Sequence, residues 1–121
     1  MIDKITGACK IHFSPANTSK ELSTYADDDL YFRTAPSDIL QGRVLSDLMI
    51  EDGNTTAAFL ARQDSYGEGL LEDASGPFED QGGEAVLKRV YDPEAQTFEA
   101  EVQAVINEDP DALSLIGFEE P

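Results

Sequence analysis

A chain of 121 residues with 40% hydrophobic and 8% aromatic content is globular in composition and long enough for one modest domain with its own core. Its 25 Asp and Glu against 8 Lys and Arg give a formal charge of -17, so there is no basic patch to meet nucleic acid or an anionic membrane surface. The single cysteine, Cys9, excludes an internal disulfide, and no run approaches the ~20 apolar residues that a spanning helix needs.

Met1 to Ala8 reads as the last turns of a helix ending at Gly7. Ile5 to Cys9 is not a lipoprotein cleavage box, because no apolar core region precedes the cysteine. The chain as written is therefore expected to carry neither an export signal nor an anchor. Lys10 to Phe13 is a short strand, and Ser14 to Ser19 a polar loop at its carboxyl end, with Pro15 keeping Ser14 extended. Such a loop holds a carboxylate or another small polar group, or serves as a helix entry capped by Thr18 or Ser19. Glu21 to Asp29 starts helical and turns acidic. The run Asp27-Asp28-Asp29 reads as a solvated loop, since consecutive residues point apart and match no calcium-loop spacing. Leu30 to Thr34 is a second short strand, broken by Ala35-Pro36-Ser37.

Asp38 to Asp52 carries a helical pattern. Asp38 is placed as its cap, Gly53 stops it, and Leu40, Val44 and Leu48 form an apolar stripe expected to face inward with Leu45 and Met49 alongside. Thr55 to Ala61 is small, β-branched and apolar without alternation, which suits a strand covered on both faces. The chain then turns polar through Arg62 to Ser65 and presents Tyr66 between a strand end and a helix start, where open α/β sheets bind ligands. Glu68 to Gln81 is the next helix, with a break expected at Ser75-Gly76-Pro77. Glu84 to Tyr91 is a strand. Thr97 to Asn107 is a helix capped by Thr97 with Phe98, Val102, Val105 and Ile106 inward, and Ala112 to Phe118 is the last strand. The resulting fold class is α/β, a three-layer parallel sheet with helices on both faces and right-handed crossovers.

Catalytic chemistry is hard to assemble from these residues. Neither GxGxxG nor GxxxxGK occurs, His12 is the only histidine, Cys9 has no flanking base, and no carboxylate pair is set in apolar surroundings. A receiver-like enzyme needs an acidic cluster and a lysine at strand ends, whereas Lys88 lies within a strand. The expectation is a binding module, not an enzyme, with no cofactor and no metal.

Four stretches together resemble one family. They are Phe13 to Ser19; Tyr31 to Asp38 with Gln41-Gly42; Asp64 to Leu70; and Pro110 to Leu113 leading to Ile116-Gly117-Phe118. In this order they are similar to the branched-chain amino-acid type of substrate-binding protein of ABC transporters, of the type I periplasmic-binding fold, and to related receptor ligand-binding regions. The resemblance implies two α/β lobes with ligand in the cleft between them. Residues 1–34 would end the first lobe, 35–38 would be a hinge crossing, and 39–121 would open the second. Ala16 would offer its carbonyl to a ligand ammonium, and Thr18 its hydroxyl and N–H to a carboxylate. Tyr66 would close from the other lobe, and Phe118 would stand as a stacking wall. The implied partners are a small-molecule ligand, an amino acid foremost, and the membrane permease of an ABC importer, in the periplasm or at the cell surface. The family's first strands, its upstream serine ligand loop and its downstream acidic ammonium ligand have no counterpart here. The chain thus resembles an internal fragment, with an exposed sheet edge inviting self-association. The competing expectation is a structural remnant that shares the fold without binding.

Overall fold

The computed structural model describes residues 1–119, in which the strands form a two-stranded sheet and a three-stranded sheet, both parallel. The span 39–121 expected to open a second lobe ends in Glu120 and Pro121, which lie outside the described residues. Helix α1 (Ile2–Thr6) leads to β1 (His12–Ser14), a 3-10 turn (Lys20–Ser23) and β2 (Tyr31–Arg33). Strand β1 starts two residues later than the pattern suggests, because the residues before it complete the end of α1. Cys9 takes a left-handed φ of 53°, and the N–H groups of Cys9 and Lys10 donate to the carbonyls of Thr6 and Ile5. The helix expected from Glu21 is only the 3-10 turn. Beyond it, the Asp27 carboxylate accepts the N–H groups of Asp29 and Tyr31, and Asp28 and Asp29 adopt left-handed φ of 54° and 57°. Asp27 thus builds a turn, as Asp side chains do by bonding their own backbone.

The second sheet is built by α2 (Asp38–Glu51), β3 (Thr56–Arg62), α3 (Ser65–Asp80), β4 (Glu84–Tyr91), α4 (Glu99–Glu108) and β5 (Ala112–Ile116), with strand order β4-β3-β5. Every residue from Ala57 to Ala61 is buried, in accord with the unalternating apolar pattern. Ala57, Phe59 and Ala61 pack with Met49, Leu70, Leu71, Ala74, Phe78 and Ile116 on one face of the sheet. Leu60 points to the other face, toward Val102 and Val105 of α4. Helices cover both faces, as the fold class expects.

Three sequence expectations are corrected. Leu40, Val44 and Leu48 are exposed at 57%, 57% and 52%, and α2 buries Asp38, Gly42, Ser46 and Met49 instead. The cause is the closeness of α2 to α3: a Cβ on Gly42 would lie 2.3 Å from the Asp73 carbonyl oxygen, so only small residues fit the crossing. Second, α3 runs through Pro77 without a break. In an α-helix proline frees the carbonyl of residue i−4, here Asp73, and that is the carbonyl Gly42 packs against. The adjacent Ala74 carbonyl accepts the Ser46 hydroxyl at 2.6 Å, so α2 supports the helix where proline weakens it. Third, α4 starts after Phe98, not at a Thr97 cap, and its Val102 and Ile106 are exposed at 53% and 62%. Helix α4 packs over β4 and β3 and leaves Leu113 and Leu115 of β5 open to solvent.

Candidate functional site

The turn after β3 is built by sterics and capping. Asp64 accepts the Gly67 N–H at 2.7 Å and pairs with the Arg62 side chain at 2.6 Å, so it closes the first turn of α3. A Cβ at Gly67 would sit 2.2 Å from the Arg62 carbonyl oxygen; the turn is that tight. Tyr66 is held inside this turn at the carboxyl end of the central strand. The strand–turn–helix reading of this stretch holds, with the helix starting at Ser65.

The loop after β1 is built by side-chain hydrogen bonds. Ser14 Oγ accepts the N–H groups of Ala16 and Asn17 at 3.3 and 3.0 Å. Arg33, on the neighbouring strand β2, donates to the carbonyls of Asn17 and Ser19 and to Ser23 Oγ at 3.3, 2.8 and 2.6 Å. The loop is not a side-chain-capped helix entry: Ser19 precedes the 3-10 turn without capping a backbone N–H, and its hydroxyl bonds the Glu21 carboxylate instead.

These two segments face one another across a cavity of about 440 Å³ lined by Ala16, Asn17, Thr18, Ser19, Leu22, Ser65, Tyr66 and Phe118. All four residues singled out in the sequence, Ala16, Thr18, Tyr66 and Phe118, line it. Tyr66 and Phe118 stack with ring centroids 5.4 Å apart and planes 16° from parallel, and the Arg62 guanidinium lies 4.8 Å over the Phe118 ring. One end of the cavity is thus hydroxyl- and amide-rich and the other is aromatic. Its size falls within the range of small-molecule pockets.

Behind the cavity stands Asp38, 1% exposed, whose N–H donates to the Thr18 carbonyl at 2.9 Å. It is the first residue of α2 and buried, and the N-cap position expected for it is taken by Ser37, which makes no side-chain cap hydrogen bond. Burial holds its carboxyl above the ordinary carboxylate value. The Asp73 and Glu21 charges add to that rise, and the Thr18 hydroxyl and Arg33 oppose it. Burial likewise raises the Tyr66 hydroxyl, the Asp38 charge adding to the effect and the Gln41 side chain opposing it. Asp38 and Gln41 therefore link the polar loop to the aromatic wall. Sequence reasoning missed that link, although both residues sit in the Pro36-Ser37-Asp38 and Gln41-Gly42 motif that signalled this region. A second cavity, of about 330 Å³, lies between α4 and the sheet, lined mainly by Leu60, Tyr91, Val102, Val105, Leu113 and Leu115. Among the described residues no group of three or more His, Cys, Asp or Glu is placed to hold a metal, and no helix is long and apolar enough to cross a membrane.

The model of the receptor family ligand binding region matches residues 3–113. A leucine binding protein from Thermotoga maritima superposes with a TM-score of 0.81 at 21% identity, over 97% of this chain and 34% of its own. An ABC transporter solute binding protein from Rhodopseudomonas palustris, in complex with p-hydroxybenzoic acid, gives 0.86 at 14% identity, over 95% of this chain and 31% of its own. An ABC transporter substrate-binding protein from Desulfitobacterium hafniense in complex with Leu gives 0.75 at 24% identity, over 94% and 34%. The chain thus spans about a third of the length of these structures and shares their fold. No curated protein sequence matches it.

Proposed function

Because the chain belongs to the receptor family ligand binding region, we propose that it supplies part of a small-molecule-binding cleft of an ABC-importer solute-binding protein. In this reading, residues 1–34 end one lobe, 35–38 cross the hinge, and 39–121 open the other. The ligand is an amino acid or a similar small carboxylate. Leu and p-hydroxybenzoic acid, the ligands named for two of the similar structures, share a carboxylate next to an apolar or aromatic body. The cavity offers the matching pair of ends: Thr18 for the carboxylate, the Ala16 carbonyl for an ammonium, and the Tyr66–Phe118 stack for the body. The observation that carries the reading is that three stretches far apart in sequence converge on this one cavity. The protein acts by binding and hands its ligand to a membrane permease, in the periplasm or at the cell surface.

Isothermal titration of the chain with L-leucine and with p-hydroxybenzoate tests this, alongside size-exclusion chromatography. Heat with one ligand that disappears in Thr18→Val, with the fold retained, supports the reading. A folded chain that takes up neither ligand favours the structural remnant. The open Leu113 and Leu115 face of β5 gives that alternative its own expectation, concentration-dependent self-association.

A further inference from the structure

The two walls of the cavity belong to different sheets, and a charged side chain joins them. Lys20 follows directly on the cavity-lining Ser19, and its ammonium reaches across to α3, 2.9 Å from Asp73 Oδ1 and 3.4 Å from Glu72 Oε2. The contact with Asp73 is partly sheltered, the two side chains being 31% and 12% exposed. Asp73 lies about two helical turns beyond Tyr66 and so on the same face of α3. Lys20 therefore connects the polar loop to the helix face that carries the aromatic wall. Arg33 holds the same loop from its own sheet, at Asn17, Ser19 and Ser23. The loop is thus clamped by one cation within its sheet and by another across the gap.

Charge makes the second clamp consequential. With 25 acids against 8 basic residues, the approach of two parts of this chain is repulsive unless cations stand where they meet. At this junction Asp38, Glu21, Glu72 and Asp73 gather, and Lys20 is the ammonium placed among them. The Asp73 hydrogen bond is the main influence raising the Lys20 amine above its ordinary value, against the effect of burial, so the ion stays charged throughout the neutral range.

We propose that Lys20 is a positioning residue for the ligand site: its pairing with Asp73 and Glu72 sets the spacing between the Ala16–Ser19 loop and Tyr66, and so holds the cleft closed on its ligand. The ligand half of this statement rests on the reading given under Proposed function; the spacing half does not. Spin labels on the native Cys9 and on Asp80→Cys, at the exposed end of α3, report the spacing without any ligand. The chain with Lys20 intact is expected to give one narrow distance distribution. Lys20→Met and Lys20→Glu should broaden it, Lys20→Arg should keep it, and the reversed pair Lys20→Glu with Asp73→Lys should restore it. Raising salt from about 0.05 M to about 1 M should broaden the unmutated distribution, which covers the case of a variant that fails to fold. With L-leucine as probe, Lys20→Met should speed dissociation roughly two- to fivefold and leave association nearly unchanged. Distance distributions unmoved by both substitution and salt overturn the proposal. An unmutated chain that ignores L-leucine, yet whose label distances respond to Lys20 and salt, supports the spacing role while the ligand reading fails.

Discussion

The two walls of the cavity are held by different kinds of force. The Tyr66 wall is fixed by backbone packing: a strand buried from Ala57 to Ala61, an Asp64 cap, and a glycine too close to Arg62 to accept a side chain. The Ala16–Ser19 wall is fixed by side-chain contacts: Ser14 at its start and Arg33 from β2 bond its backbone, and Lys20 at its end reaches out to Asp73. The first is continuous with the hydrophobic core, so it cannot loosen without unfolding the sheet. The second is a polar loop over two three-residue strands, which opens locally at low cost. A cleft that must admit a ligand and then grip it benefits from one stiff wall and one adjustable wall.

The sharpest way to break this contrast is Gly67→Ala. The added methyl meets the Arg62 carbonyl at 2.2 Å, a backbone atom with nowhere to go, and overpacking of this kind costs about 1–3 kcal/mol or more. Urea unfolding should show the loss as a global shift in midpoint. Asp64→Ala should follow at about 1 kcal/mol, the usual worth of an N-cap, again seen globally. Arg33→Met is expected to behave differently. It removes three hydrogen bonds, but they hold the loop and not the core. Amide exchange at residues 17–23 should accelerate while the urea midpoint moves by less than for Asp64→Ala. A loss of the whole fold in Arg33→Met would erase the distinction between the walls.

The stiff wall was legible in the sequence and the adjustable one only in outline. An apolar run without alternation, then a polar turn ahead of Tyr66 and Gly67, specifies strand and turn through local rules that need no partner, whereas the Asp64 cap and the start of α3 at Ser65, three residues before the expected Glu68, came only with the structure. The Ser14–Ser19 loop left open whether it bound something or began a helix, because Arg33 and Ser14 decide that through contacts a linear pattern does not display. The α2 stripe misled for a related reason. Large apolar residues ordinarily mark a buried face, yet the crossing with α3 is so close that Gly42 and Ser46 occupy it and Leu40, Val44 and Leu48 are turned out. Pro77 misled because the hydroxyl that supports the helix beside its freed carbonyl comes from Ser46, on another helix. Asp38 showed as a motif residue, but its burial depends on Thr18 and Asp73 meeting it from two other elements.

The smallest expected effects concern two aspartates whose acid responses run in opposite directions, one behind the adjustable wall and one at the foot of the stiff strand. Asp111 accepts the N–H groups of Thr55 and Thr56 and the Thr55 hydroxyl, at 2.9, 3.0 and 2.8 Å. Those backbone donors lower its carboxyl from 3.8 to about 2. The folded state therefore holds this proton less tightly than the unfolded chain. Its contribution is present above pH 3.8 and is lost as the pH falls toward about 2. Asp38 is the reverse case. Burial raises its carboxyl, so the folded state holds the proton more tightly, and its contribution is present below 3.8 and lost as the pH rises through the raised value. Facing it are the Thr18 hydroxyl, Arg33, Asp73, Glu21 and Tyr66, and none of these reverses the sign that burial sets. Thermal unfolding followed from pH 3 to pH 7 should separate the two. Asp111→Asn should flatten the acid limb, so that the variant loses less stability than the parent on acidification. Asp38→Asn should instead gain on the parent as the pH rises, because the parent must ionise a buried carboxyl that the amide does not have. An Asp38→Asn variant that loses ground with rising pH would show that the carboxylate is stabilised where it sits, and that the Thr18 wall is held by charge and not by a buried neutral contact.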